Sequence, residues 1–135
     1  MKGLVAILYD FKNIGKNGED FAVSYLENNG YEIICRNYHS RFGEIDIIAK
    51  NENYIVFIEV KTRNLKTKFT AVEAVDMFKQ KKIIKTAMIY LQENCIKLQP
   101  RFDVVLILFD KSFDNIYKID QIENAFEGVD FFEAF

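Results

Sequence analysis

Two runs of β-branched apolar residues, Gly43-Glu44-Ile45-Asp46-Ile47-Ile48-Ala49 and Ile55-Val56-Phe57-Ile58-Glu59-Val60-Lys61-Thr62-Arg63, are joined by the polar tetrapeptide Lys50-Asn51-Glu52-Asn53. Strand-forming residues on either side of turn chemistry read as a β-hairpin. The charge inside the hairpin restricts it further. Asp46 lies between Ile45 and Ile47, and Glu59 between Ile58 and Val60. A carboxylate held in an apolar strand is costly unless something compensates it. The compensation expected here is a metal ion, which makes the hairpin a candidate active site.

The rest of the chain supplies the cover such a hairpin needs. After an apolar N-terminal stretch, Asn13 to Gly18 reads as a loop, and a helix follows from about Gly18 to Asn28 on the stripe Phe21, Ala22, Tyr25 and Leu26. Glu19 falls in its expected first turn, where a carboxylate suits the helix dipole. Asn28-Asn29-Gly30 is a stop signal. Tyr31 to Arg36 is the first strand and Asn37 to Phe42 a polar turn. Strand period places Glu44, Asp46 and Ile48 on one face, and Phe57, Glu59 and Lys61 on one face of the next strand. A register that sets Asp46 opposite Glu59 brings three charges together.

Beyond Arg63, the stripes Ala71-Ala74-Val75-Phe78 and Ile84-Ala87-Met88-Leu91 are out of phase by about half a turn at ~100° per residue. One straight helix cannot bury both. A short helical turn to Val75, Asp76 as N-cap, and a new helix from about Met77 to Gln92 resolve the conflict. Gln80 then lies on the buried stripe, and Lys79 sits near the helix start, where a cation opposes the dipole. After Pro100, Arg101 to Phe109 is a continuously apolar strand, expected to be central and covered on both faces. A turn at Lys111 to Asn115, a short last strand Ile116 to Ile119 and a short helix Ile122 to Phe126 complete the order. The expected fold class is α/β: a mixed five-stranded sheet flanked by helices, with an antiparallel meander and then a parallel strand reached by a right-handed crossover.

A chain of 135 residues, half of them hydrophobic, fits one domain with a real core. We assign residues 1–135 to it, with a core of about 15–126 and an aromatic tail, 127–135, that either packs back on the body or contacts a partner. The apolar stretch after Lys2 is cut short by Asp10 and Lys12, and no run is long enough to span a bilayer, so a cytoplasmic protein without membrane contact is expected. Cys35 and Cys95 read as buried free thiols, with a disulfide as the alternative. Between Lys61 and Lys85 stand eight basic residues (Lys61, Arg63, Lys66, Lys68, Lys79, Lys81, Lys82, Lys85) against two acids (Glu73, Asp76), in a chain of net charge −2. Such asymmetry suggests a polyanion-facing patch, with a solvated helix face as the alternative.

The donor set favours a hard cation. Mg²⁺ or Mn²⁺ takes oxygen ligands, and Asp46, Glu59 and the Val60 carbonyl supply them. Lys61 beside them can orient or deprotonate a water and offset charge on a phosphate transition state. The chemistry that suits this set is phosphodiester hydrolysis. The bland alternative is a structural Glu59–Lys61 pair with Asp46 at a sheet edge. A single histidine, His39, excludes a two-histidine zinc site, and two distant cysteines make no zinc knuckle. Tyr38 and Phe42 are candidates to stack on bases and Arg41 to touch phosphate, a solvated loop being the alternative.

Asp46…Glu59-Val60-Lys61, with Glu19 in a preceding helix, resembles the PD-(D/E)xK nuclease motif of type II restriction enzymes, archaeal Holliday-junction resolvases and RecB-type nucleases. More closely, the chain resembles the YraN-like family of small bacterial proteins. The resemblance rests on Gly15…Gly18-Glu19, Asn37, Gly43-Glu44-Ile45-Asp46, Phe57 to Arg63, Glu73-Ala74-Val75, Lys79-Gln80, Tyr90-Leu91, Arg101 to Val105 and Asn124-Ala125-Phe126. It implies a restriction endonuclease-like fold and cleavage of DNA, including branched or repair intermediates. Asp46 and Glu59 would be metal ligands, Lys61 the catalytic lysine, and Glu19 the helix carboxylate near the metal. Glu44, Lys79 and Gln80 would support the site, although the tyrosine that follows the RecB-type glutamine is Ile84 here. Arg41, Arg63, Lys66, Lys68, Lys81 and Lys82 would face nucleic acid, and a homodimer would suit a two-fold junction. The competing readings are a non-catalytic nucleic-acid-binding module that keeps the fold, and an accessory subunit that uses the aromatic tail.

Overall fold

The computed structural model describes residues 14–64, 75–110 and 115–126. Their elements run α1 (Ile14–Asn28), β1 (Glu32–Ser40), β2 (Gly43–Lys50), β3 (Tyr54–Asn64), α2 (Met77–Glu93), β4 (Gln99–Asp110) and β5 (Asn115–Ile122). Lys66, Lys68, the apolar positions Ala71 and Ala74, the N-terminal stretch, most of the turn expected at Lys111 to Asn115 and the aromatic tail lie outside the described residues.

The five strands form one sheet in sequence order. β1, β2 and β3 are an antiparallel meander, β4 runs parallel to β3, and β5 returns antiparallel to β4. This is the expected mixed five-stranded α/β sheet. A two-residue turn at Arg41-Phe42 joins β1 to β2. The β2–β3 turn is closed by the Asn51 side chain, which accepts from the Asn53 and Tyr54 N–H groups at 3.0 and 2.9 Å. β4 is buried from Arg101 through Ile107, the apolar residues from Val104 on being covered on both faces as expected.

A separate core lies on each face. α2 packs Ile83, Ile84, Ala87 and Tyr90 against Ile48, Phe57, Phe102 and Val104. On the other face α1 packs Phe21, Ala22 and Leu26 against Ile47, Val56, Ile58, Val105 and Ile107. The sheet is therefore the middle of three layers. α2 begins where the phase break requires: Asp76 caps it, its carboxylate accepting from the Lys79 N–H at 2.8 Å.

Four boundaries differ from the sequence expectation. α1 begins at Ile14, so the segment read as a loop is helical and Glu19 lies in its second turn. The glycine that suggested a loop has a packing reason instead: a Cβ on Gly18 would come within 2.4 Å of Thr62 Cγ2 on β3. β1 continues to Ser40, its polar end tolerated because β1 is an edge strand. It accommodates an irregularity between Ile33 and Cys35 and a left-handed residue at Asn37 (φ 53°). β5 extends from Asn115 to Ile122, and no helix follows it. Asn124 turns the chain with φ 53°, so that Phe126 stacks on Phe102 with ring centres 5.2 Å apart. Burying that ring requires a sharp reversal that a helix cannot make.

The end of the sheet where β4 begins is held by a buried polar cluster. The Arg101 guanidinium forks onto Asp103 (Nε–Oδ1 2.9 Å, Nη2–Oδ2 2.8 Å) and lies over the Tyr54 ring. Gln121 Nε2 and the Asn124 N–H add bonds to the same carboxylate at 2.8 and 3.0 Å. Asp103 is fully buried, so each lone pair that is satisfied matters. Residues two apart on β4 thus join the α1–β1 connection, through Tyr31, to the end of β5.

The contact between α1 and β3 yields a test. Gly18→Ala forces a methyl group into Thr62, and overpacking of this kind costs about 1–3 kcal/mol. Chemical denaturation should show that loss, and Gly18→Ala combined with Thr62→Ser should recover most of it. A single substitution with unchanged stability would show that the helix does not need this approach.

Candidate active site

The hairpin that carries the acids is not a complete ladder. β2 and β3 pair from Lys50–Ile55 to Ile47–Ile58, and no pair is formed beyond it. The next step in register would set Asp46 against Glu59. There the strands part, and the Asp46 carboxylate replaces the ladder: Oδ2 accepts from the Val60 N–H at 2.8 Å. The side-chain alternation of β2 breaks at the same place. Ile45 and Ile48 belong to the α2-side core, Ile47 and Ala49 to the α1-side core. The expected common face of Glu44, Asp46 and Ile48 therefore does not hold, because β2 twists where it leaves β3 and faces the left-handed Asn37.

On β3 the alternation is regular. Val56 and Ile58 face α1, while Phe57 joins the α2-side core, so Glu59 and Lys61 share the α2 side. Glu59 is only 6% exposed. Its Oε1 meets Lys79 Nζ at 2.6 Å and Lys61 Nζ at 3.5 Å. Lys79 comes from the first turn of α2, held there by the Asp76 cap. A carboxylate inside the sheet is thus compensated from its own strand and from the helix above it.

The titration of these groups follows from burial and crowding. Burial, and then the neighbouring charge of Glu59, push Asp46 up to about 6. The Val60 N–H and the more distant Lys79 pull it back in part, and Glu19 pushes it further up. Lys61 is lowered, first by burial and then by the Lys79 ammonium, against the pull of Glu59. Burial also works against Lys79, but its bonds to Glu59 and Lys61 and the charges of Glu59 and Asp46 outweigh it, and its pKa is raised. The two neighbouring lysines are therefore shifted in opposite directions, Lys61 down and Lys79 up.

The remaining expected residues divide. Glu19 acts on Asp46 only through its charge. Its Oε1 accepts from Arg36 Nε at 2.8 Å and from Asn37 Nδ2 at 3.1 Å, and Arg36 also reaches Asp20 at 2.6 Å. Gln80 reaches the Val75 carbonyl at 2.9 Å, where it holds the chain entering α2. Glu44 is exposed and pairs with His39 at 3.3 Å. Arg63 Nη1 donates to the Thr62 carbonyl at 2.8 Å. Arg41, Lys81 and Lys82 are exposed, Arg41 lying over Phe42 and Lys82 over Phe78. Sequence reasoning assigned no site role to Arg36. Its place is set by the irregularity in β1, which no local pattern announces.

Among the described residues no three Asp, Glu, His or Cys side chains form a ready cation cage. A buried carboxylate, Glu59, and a half-buried one, Asp46, whose proton affinity it raises, nevertheless fit a hard divalent cation that keeps several waters. The fit rests on Asp46 and Glu59. Among the described residues no helix is long and apolar enough to cross a membrane.

Comparison of the sequence with known proteins shows its family. The sequence profile described as "Uncharacterised protein family UPF0102" matches residues 18–107. A UPF0102 protein of Clostridium botulinum (strain Loch Maree / Type A3) is 45% identical over 121 residues, covering 88% of this chain and 98% of the relative. Another, from C. botulinum (strain Langeland / Type F), is 46% identical over the same length and coverage. One from Caldanaerobacter subterraneus subsp. tengcongensis is 41% identical over 116 residues, covering 85% of this chain and 95% of the relative. The chain belongs to the UPF0102 family.

The raised Asp46 predicts a stability change with pH. Because its folded value, about 6, lies above the ordinary carboxylate value of 3.8, Asp46 favours the folded state most below pH 4 and loses that contribution as pH rises through 6. At neutral pH its ionised form costs the protein on the order of 3 kcal/mol. Asp46→Asn keeps an acceptor for Val60 and removes the charge. Without divalent metal, it should raise the melting temperature at pH 7 and have little effect at pH 4. Equal effects at both values would show that the charge is not the source.

Proposed function

We propose that this UPF0102 protein is a metal-dependent nuclease of the PD-(D/E)xK type that hydrolyses phosphodiester bonds of DNA. The observation that carries the reading is Glu59: a buried carboxylate on a central strand, bonded to Lys79 and Lys61 and in register with Asp46 where β2 and β3 part. A structural ion pair needs one cation per carboxylate and no second acid. Here a second acid with an elevated proton affinity lies beside the first, an arrangement that disfavours folding and suits a ligand.

Asp46, Glu59 and the Val60 carbonyl are the oxygens that would hold Mg²⁺ or Mn²⁺. When bound, the ion would neutralise developing phosphate charge and acidify a water. The chain's own residues supply the rest. Lys61 in its neutral form, which its lowered pKa makes easier to reach, accepts a proton from the attacking water as the water oxygen bonds to phosphorus. The phosphorus–oxygen bond on the opposite side breaks, and the leaving oxygen takes a proton from solvent. Lys79 stays charged and offsets the negative charge gathered on the phosphoryl oxygens. Glu19, held by Arg36 and Asn37, sets the field at Asp46.

Cleavage of linear, flapped and four-way-junction DNA with Mg²⁺ or Mn²⁺ tests the proposal. Glu59→Gln and Lys61→Ala should each lower the rate by at least about 100-fold, a loss of ~2.7 kcal/mol of transition-state stabilisation. Salt-dependent DNA binding by a wild-type chain that cuts none of the substrates would favour the binding module instead.

Metal binding has its own readout. Mn²⁺ should raise the melting temperature of the wild type by several degrees, as a ligand of the folded state does. Asp46→Asn should lose that shift. A shift of equal size in Asp46→Asn would remove Asp46 from the ligand set.

A further inference from the structure

Beside the acidic site stands a surface that the hydrolytic residues do not use. Met77 and Phe78, at the start of α2, are 59% and 70% exposed. Large apolar side chains in that state on a helix whose other face fills the core call for a ligand or a partner. Their surroundings are cationic. Lys82 Nζ lies 4.4 Å from the centre of the Phe78 ring, one helical turn on. The β1–β2 turn repeats the arrangement: Phe42 has Arg41 at 4.9 Å and Lys85 at 5.2 Å from its ring centre.

The two aromatic–cation groups are one structure. Gly43 lies against α2, where a Cβ would make ordinary van der Waals contact with Lys82 Cβ at 3.4 Å. Ser40 Oγ and Thr86 Oγ1 are hydrogen-bonded at 2.7 Å across the same junction. The turn is therefore fastened to the helix, and a groove of about 340 Å³ runs between Gly43-Glu44 and the first turns of α2. Its two acids are engaged elsewhere, Asp76 in the helix cap and Glu44 with His39. Lys79, which follows Phe78 in sequence, bonds to Glu59, so the surface adjoins the acidic site.

We propose that Phe78 and Phe42, with Arg41, Lys82 and Lys85, form a binding surface for single-stranded DNA, on which unpaired bases stack beside the Asp46–Glu59 site. The inference rests on the nuclease reading and names its substrate class: DNA with an unpaired segment flanking the cleavage point. The choice between single strand and duplex is physical. A duplex presents phosphates and base edges, and its base faces are already stacked, so an exposed phenyl ring gains little from it. An unpaired base offers a whole π-face, and the interleaved cations hold the phosphates on either side.

Fluorescence anisotropy with the full chain tests this, using a labelled single-stranded oligonucleotide and a blunt duplex of equal length, in EDTA so that the probe is not consumed. The single strand should bind more tightly than the duplex. Phe78→Ala should weaken single-strand binding roughly ten-fold and duplex binding by less than about two-fold, and Phe78→Tyr should restore it. Equal losses on both probes, or no loss on either, overturn the proposal. So does a fall of more than about 5 °C in the melting temperature of Phe78→Ala, which would show the ring to be packing rather than waiting for a base. The parent reading fails separately. A chain that binds single strands through Phe78 and cuts nothing keeps the surface and loses the nuclease. A chain that cuts duplex DNA equally well with and without Phe78 keeps the nuclease and loses the surface.

Discussion

A carboxylate inside a β-sheet can stay ionised only if cations come to it, and the Glu59 carboxylate is the group around which this molecule is arranged. One cation, Lys61, arrives by strand period, two residues along the same face. The other, Lys79, requires a helix to start at one place above the sheet. That start is fixed by the Asp76 cap and by the phase break preceding it. The parting of β2 from β3 then admits Asp46 beside Glu59, and the Val60 N–H gives its carboxylate the bond that the ladder no longer supplies. Remove the helix start and Glu59 has one lysine; close the ladder and Asp46 has no room.

The two helices hold opposite faces of this arrangement by different means. α1 approaches β3 closely enough that Gly18 must lack a side chain, and this approach carries Glu19 toward Asp46. α2 is joined to the β1–β2 hairpin through the Ser40–Thr86 bond and the contact of Gly43 with Lys82. The Arg101–Asp103 cluster fixes the start of β4, beside the start of β3 and away from the candidate site. Each side chain in that cluster has its partners, whereas Asp46 and Glu59 repel one another across a short gap. One end of the sheet is built for stability. The other accepts an electrostatic cost of the kind associated with binding sites.

Most of the fold could be read along the chain because its strands are strongly β-branched and its helix phases are clear. The hairpin, the α2 boundary at Asp76 and the buried β4 all follow from period and capping. The misreadings arose where one residue type serves two physical ends. Gly18 looked like a loop residue because glycine punctuates chains, yet it is there to let a helix and a strand meet. Asn37 to Ser40 looked like a turn because they are polar, yet an edge strand tolerates polar residues. Phe126 stood in an apparent helix and instead caps the α2-side core through a sharp turn. The family match from residue 18 to residue 107 spans the hairpin, α2 and the buried part of β4.

By itself the sequence determined that Asp46, Glu59 and Lys61 lie on adjacent strands, and that Glu59 and Lys61 share a face, because strand period is a local property. It also determined the capped start of α2. Only the tertiary structure decided that the ladder opens at Asp46, that Lys79 bonds to Glu59, that Glu19 is held by Arg36 and Asn37, and that the β1–β2 turn is fastened to α2. Those relations join residues far apart in the chain. They depend on twist, bulge and helix seating, which are settled by packing the whole domain and leave no pattern in any short stretch of it.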